Sequence, residues 1–124
     1  MKIWWFKDSK IGHEKQVRAI LDNLAITRNL VIEEIHISNP VWLELFFYFL
    51  RLKPKKDSIP DIIIGAGSKT TIPMLRYKAS NKTTVISVMK PQIFGSKFDL
   101  IVAPRHDYEE VPNNVFTYTG SIAK

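Results

Sequence analysis

Residues able to do chemistry gather in the stretches DSKIGHEKQ (8–16), GAGSKT (65–70), PRHD (104–107) and TGS (119–121). In the first, His13 stands in what reads as the opening turn of a helix. A cationic imidazole is disfavoured at that end of the helix dipole, whereas a neutral imidazole there can serve as a general base. Gly12 permits a close backbone approach or a positive φ angle. The unpaired amides of the helix start, with Lys7 and Lys10 beside them, suit an anion. Asp8 belongs to the same rim. The plainer alternative is that Asp8 or Ser9 shapes the loop, Glu14 favours the dipole, and His13 is merely exposed.

GAGSKT suggests two nucleotide motifs and satisfies neither. A P-loop needs Gly-Lys-Thr after its spacer, but Ser68 separates Gly67 from Lys69 and Ile62 takes the place of the first glycine. The dinucleotide fingerprint needs a further glycine where Thr70 stands. What remains is generic: Gly65, Gly67, Ser68, Lys69 and Thr70 can hold a phosphate, a carboxylate or a sugar hydroxyl, or else form a tight turn with an ordinary cap. In PRHD, Arg105 suits bidentate capture of an anion, and His106 with Asp107 could form an orienting pair. Thr119 and Gly120 close the set. His13, His36 and His106 are too scattered for a metal site, and no cofactor is expected.

The elements that must position these residues follow from the apolar pattern. Residues 3–6, 61–67, 83–89 and 99–104 are short continuous apolar runs, as in parallel strands covered on both faces. Residues 30–37 are mixed and read as a strand nearer an edge, and a last short strand lies near Val115. Val17, Ile20, Leu21 and Leu24 form one stripe of a helix over residues 13–26. A second helix is predicted over 41–52. A third starts near Thr70, with Pro73 tolerated in its first turn. Such alternation predicts a doubly wound, mainly parallel α/β Rossmann-like sheet with helices on both faces, over residues 1–124 as one domain. Ligands of such sheets bind outside the carboxyl ends of the strands, where all of the chemical stretches fall.

Bulk properties limit the function further. A chain of 124 residues can bury a core without staples, and it has no cysteine for disulfides or thiolate metal sites. The apolar residues before Lys7 are too few for a signal peptide, and nothing is long enough to span a bilayer, so a cytoplasmic protein is expected. The net charge of +6 favours anionic partners. The basic residues are dispersed, so nucleic acid ranks last among them. VWLELFFYFLRLKPKK (41–56) is the other anomaly. Its apolar residues, Trp42, Phe46 and Phe47 among them, run into Arg51, Lys53, Lys55 and Lys56. Such a segment is a core helix with a basic loop, an insertion into an anionic membrane interface on the cytoplasmic side, or a protein interface.

DSKIGHEKQ, IGAGSKT, FDLIVAPRHD and NVFTYTGSI, in this order and spacing, resemble the family of the plant mitochondrial-fission factor "elongated mitochondria" and its bacterial homologues. The resemblance covers essentially the whole chain. It implies a GT-B glycosyltransferase-like protein, of which this chain would be the N-terminal, acceptor-side half. By the same resemblance His13 is the catalytic base, and a sugar passes from a nucleotide donor to a lipid-linked or envelope acceptor. Two departures stand out: Asp8-Ser9 replaces an aspartate-glycine pair, and Ala123 stands where the family has a histidine. The donor-binding half would follow Lys124, so the nucleotide-sugar is expected to bind only with that second half. Alone the chain is expected to be inactive. The partners so implied are the missing C-terminal half or a second copy of the chain, and an anionic membrane surface. The competing expectation is a non-catalytic adaptor that docks through residues 41–56.

Overall fold

A computed structural model describes residues 1–37, 39–50, 59–78, 82–91 and 93–118. The apolar runs become the strands β1 (Lys2–Lys7), β2 (Val31–His36), β3 (Ile62–Ala66), β4 (Thr84–Val88), β5 (Leu100–Pro104) and β6 (Val115–Tyr118). Helix α1 (Ile11–Ala25) joins β1 to β2, α2 (Val41–Phe49) lies between β2 and β3, and α3 (Ser68–Tyr77) between β3 and β4. The six strands form one sheet in the order β2-β1-β3-β4-β5-β6, and every pairing is parallel. The fold is therefore a Rossmann-like, doubly wound α/β sheet, more uniformly parallel than the sequence alone predicts.

The strand order explains the apolar runs. From β1 the chain steps outward to β2, then crosses back over β1 to β3 and continues the other way to β4. Right-handed crossovers then put α1 on one face and α2 and α3 on the other. Packing agrees: Val17 and Leu21 of α1 lie against Ile3, Trp5, Ile64 and Val88, while Met74 of α3 lies with Trp4, Phe6, Ile63 and Val85. With both faces covered, β1 cannot alternate apolar and polar, and Ile3, Trp4, Trp5 and Phe6 are all buried. β2 is an edge strand, with Glu33 and Glu34 exposed and Ile32 and Ile35 half-buried.

Three local expectations shift. α1 begins at Ile11, so Gly12 is helical, has no positive φ, and has open space where a Cβ would stand; the left-handed residue of this loop is Ser9, at φ 70°. α3 begins at Ser68 because Gly67, at φ 97°, turns the chain out of β3 in one step. Pro73 thus falls in the helix interior rather than the first turn, where its ring cannot supply an N–H to the carbonyl of Lys69. α2 ends at Phe49 with Leu50 as its cap, short of residue 52. Arg51, Lys53, Lys55, Lys56, Thr119 and Gly120 lie outside the described residues.

Candidate active site

β1 and β3 are neighbours, yet the chain leaves their carboxyl ends toward opposite faces, α1 to one and α3 to the other. The divergence opens a crevice at this switch point. Asp8 follows β1, His13 stands in the first turn of α1, and Gly67 follows β3. Asp8 is buried, and its Oδ2 lies 2.6 Å from His13 Nδ1. Its Oδ1 accepts the amide N–H of Lys10 at 3.1 Å. A carboxylate only accepts hydrogen bonds, so this contact assigns the proton to Nδ1 and leaves the lone pair on Nε2. The His13 side chain is 20% exposed, enough for solvent or a small ligand to reach it. An oriented imidazole with a free basic nitrogen can accept a proton from a hydroxyl.

Gly67 completes the pair. A Cβ built there would come within 2.5 Å of Asp8 Oδ2 and 2.6 Å of His13 Nδ1. The glycine is thus required twice, by its positive φ and by the two side chains packed on its backbone. Gly65 has a different reason. Its Cβ would meet Met74 Sδ at 3.0 Å and Thr70 Cβ at 3.1 Å, so its absence lets α3 lie close on β3. Thr70 is buried, and its hydroxyl donates to the Gly67 carbonyl at 2.8 Å. Both residues brace the turn from below. Ser68 and Lys69 are exposed at the start of α3, and Ser68 lines a pocket of about 120 Å³ with Val41, Thr71, Ile72 and Ile93.

Lys7 faces away from the pair. Its Nζ lies 2.5 Å from Glu34 Oε1 and 4.0 Å from Glu14 Oε1, and 4.1 Å from the centre of the Trp5 ring, over which Arg18 also stacks at 4.6 Å. The hydrogen bond from Lys7 holds the Glu34 carboxyl below its ordinary range, against a smaller opposing effect of burial. These cations edge a groove of about 510 Å³ along α1, lined by Trp5, Ile11, Glu14 and Lys15 among others.

The third stretch stands further along the same edge, because β4 separates β3 from β5. Residues Arg105–Asp107 form a single 3-10 turn. Arg105 Nη1 donates to the carbonyl of Tyr108 and Nη2 to that of Glu109, so the guanidinium is engaged by its own loop. His106 Nε2 lies 3.4 Å from Asp107 Oδ1 in an exposed pair. Lys90, after β4, donates to the Asp107 carbonyl at 3.0 Å and lies 4.7 Å from the Tyr108 ring centre, tying the two loops together. Burial, and then the charge of Asp107, push the Tyr108 hydroxyl up from its ordinary range. No hydrogen bond or ion pair joins this turn to Asp8 or His13 among the described residues. Nor do three His, Asp or Glu side chains there converge as a metal site would require.

A family model described as mitochondrial fission ELM1 matches residues 11–124, from the first turn of α1 onward. The chain belongs to this family. A mitochondrial fission ELM1 assignment thus covers His13, Gly67 and the turn after β5, while β1 and Asp8 precede the match. An uncharacterized protein of Rickettsia prowazekii (strain Madrid E) is 28% identical over 120 residues, which is 90% of this chain and 34% of that protein. The chain therefore spans about a third of the length of that relative. No solved structure matches it. Among the described residues no helix is long and apolar enough to cross a membrane.

What sequence reasoning missed here is the pairing. Asp8 and His13 are each recognisable as polar residues at a strand-to-helix junction, but their contact depends on the left-handed turn at Ser9 and on the bare backbone of Gly67, contributed by another strand. Local sequence carries no signal for that.

Proposed function

We propose that this chain is the acceptor-side half of a GT-B-like glycosyltransferase, with His13 as the base. The observation that carries the reading is the 2.6 Å contact between Asp8 Oδ2 and His13 Nδ1 at the switch point of the sheet. In the proposed step an acceptor hydroxyl, on a lipid-linked or envelope molecule, attacks the anomeric carbon of a nucleotide-sugar. The new C–O bond forms as the bond to the diphosphate breaks, the electron pair leaves with the nucleotide diphosphate, and the hydroxyl proton passes to His13 Nε2. Asp8 holds the ring and stabilises the imidazolium that results. Stabilising the leaving diphosphate falls to a second half, a requirement compatible with the greater length of the Rickettsia relative. Ser68, Lys69, Gly12 and the turn Arg105–Asp107 are the candidate rim for anionic or hydroxyl groups of the acceptor.

The test combines the chain with a complementary second half and follows release of nucleotide diphosphate from a panel of nucleotide-sugars. His13→Ala is expected to slow release by roughly 10²- to 10⁴-fold. Asp8→Asn should slow it by about tenfold or more, and nitrogen-correlated NMR should show His13 leaving the Nδ1–H tautomer. Neither binding nor transfer with any donor would remove the enzymatic reading. The exposed aromatic side of α2 favours a second reading, a non-catalytic adaptor, whose partner binding would be indifferent to His13→Ala.

A further inference from the structure

α2 is polarised the wrong way round for a helix facing water. Its charged residue, Glu44, is 4% exposed and turned toward the body of the protein. There it accepts from Arg76 Nε at 2.8 Å, from Arg76 Nη2 at 3.4 Å and from Asn39 Nδ2 at 3.0 Å. The opposite side carries Trp42, Phe46 and Phe49, spaced i, i+4 and i+7, which are 70%, 55% and 69% exposed. Leu50 extends this side, and Ile93, also exposed, lies beside Val41 at the helix start. Phe94, whose ring centre is 5.3 Å from that of Tyr48 and 6.5 Å from that of Phe49, backs the patch from below. Phe47 is not part of it, since Arg76 covers its ring at 5.2 Å.

A contiguous aromatic surface of this kind marks an interaction site. Charge indicates the occupant. In sequence α2 runs straight into RLKPKK, with no acidic residue before Asp57, in a chain of net charge +6. An apolar protein groove would match the rings but gain nothing from these cations. An anionic bilayer matches both, taking Trp and Phe at the boundary of headgroups and acyl chains and attracting nearby Lys and Arg. We propose that α2 lies in the plane of an anionic lipid surface and inserts Trp42, Phe46, Phe49 and Leu50 at headgroup depth. The docking stands independently of sugar transfer. Where both hold, the pocket between α2 and α3 lies beside the membrane-facing helix and reaches Ser68, next to Gly67 on which His13 packs, a short path for a lipid-linked acceptor.

The experiment is flotation of the full chain with phosphatidylcholine vesicles, with and without phosphatidylglycerol at about 30%. The expected result is flotation with the anionic vesicles, at least a tenfold loss with pure phosphatidylcholine, and quenching of Trp42 by brominated lipid. The variant Trp42→Ser/Phe46→Ser/Phe49→Ser, with its fold checked by circular dichroism, should lose flotation by tenfold or more. Phe116→Ser, which removes an exposed ring on β6, and His13→Ala should both float like wild type; the latter keeps a failure of the catalytic reading separate. Wild type that stays at the bottom of the gradient overturns the proposal. So does a triple variant that floats unchanged, or a dimer in sedimentation that the triple variant breaks without any effect of vesicles.

Discussion

At the scale of residues, Asp8, His13 and Gly67 act as a unit, because each fills the space the others leave. A methyl group at Gly67 meets both partners at sub-contact distance and must also adopt a φ of 97°. Gly67→Ala is therefore expected to lower stability by about 2 kcal/mol or more, measured by urea unfolding, and to separate the pair. Gly12 is the internal control. It is helical with open space around it, so Gly12→Ala should raise stability by about 0.5 kcal/mol. Activity that falls in a more stable Gly12→Ala protein would mean that a ligand approaches the backbone there. Glu34 offers a test by pH. Its pKa is lowered in the folded state, so the stability it contributes is present above the ordinary glutamate range and is lost as pH falls through the lowered value. The side chain is exposed, and solvent screens the pair. Glu34→Gln should cost about 0.5 kcal/mol or less at neutral pH, fading in acid and in high salt.

At the scale of elements, α2 and α3 are fastened by a buried ion pair. Glu44 and Arg76 share two hydrogen bonds, and the guanidinium lies 5.2 Å from the Phe47 ring centre and 5.5 Å from that of Tyr77. Truncating Arg76 removes the counter-charge from the desolvated Glu44 carboxylate, and truncating Glu44 takes two hydrogen bonds from the half-buried guanidinium. Glu44→Ala is expected to destabilise by about 3 kcal/mol, and Glu44→Leu/Arg76→Met by clearly less than the two single changes summed; a double-mutant cycle in urea reads the coupling. The apolar composition of residues 41–52 suggests a helix with no polar side to turn outward, and the sequence pattern did not decide which side it buries. The answer rests on Arg76, supplied by α3 from far along the chain. A similar gap affected α3. The apolar pattern puts its start near Thr70, whereas the turn at Gly67 starts the helix at Ser68 and so places Pro73 in the interior rather than the first turn.

At the scale of the molecule, the parallel sheet concentrates its burial in β1 and β3, which are buried along nearly their whole length, whereas β4 and β5, also flanked on both sides, are buried only in part. Amides of Trp4 to Phe6 and of Ile63 and Ile64 are expected to exchange last in hydrogen-exchange mass spectrometry, and those of β2 and β6 at the edges first. An order with β2 slowest would contradict the strand arrangement. Local pattern alone was enough for the strand runs, the α1 stripe, the doubly wound and mainly parallel class, and the position of the chemistry-bearing stretches after strands. Those properties come from backbone periodicity and from how many faces of an element are covered, which a run of neighbours records. Folding in three dimensions settled that Asp8 meets His13 over Gly67, that Lys7 turns to Glu34, that Arg105 is engaged by its own loop, and that α2 hides Glu44 and shows its rings. The contacts of Gly67, Lys7 and Glu44 depend on the order in which the chain crosses the sheet, which brings together residues that no local pattern relates; the engagement of Arg105 by Tyr108 and Glu109 depends on the backbone geometry of one turn.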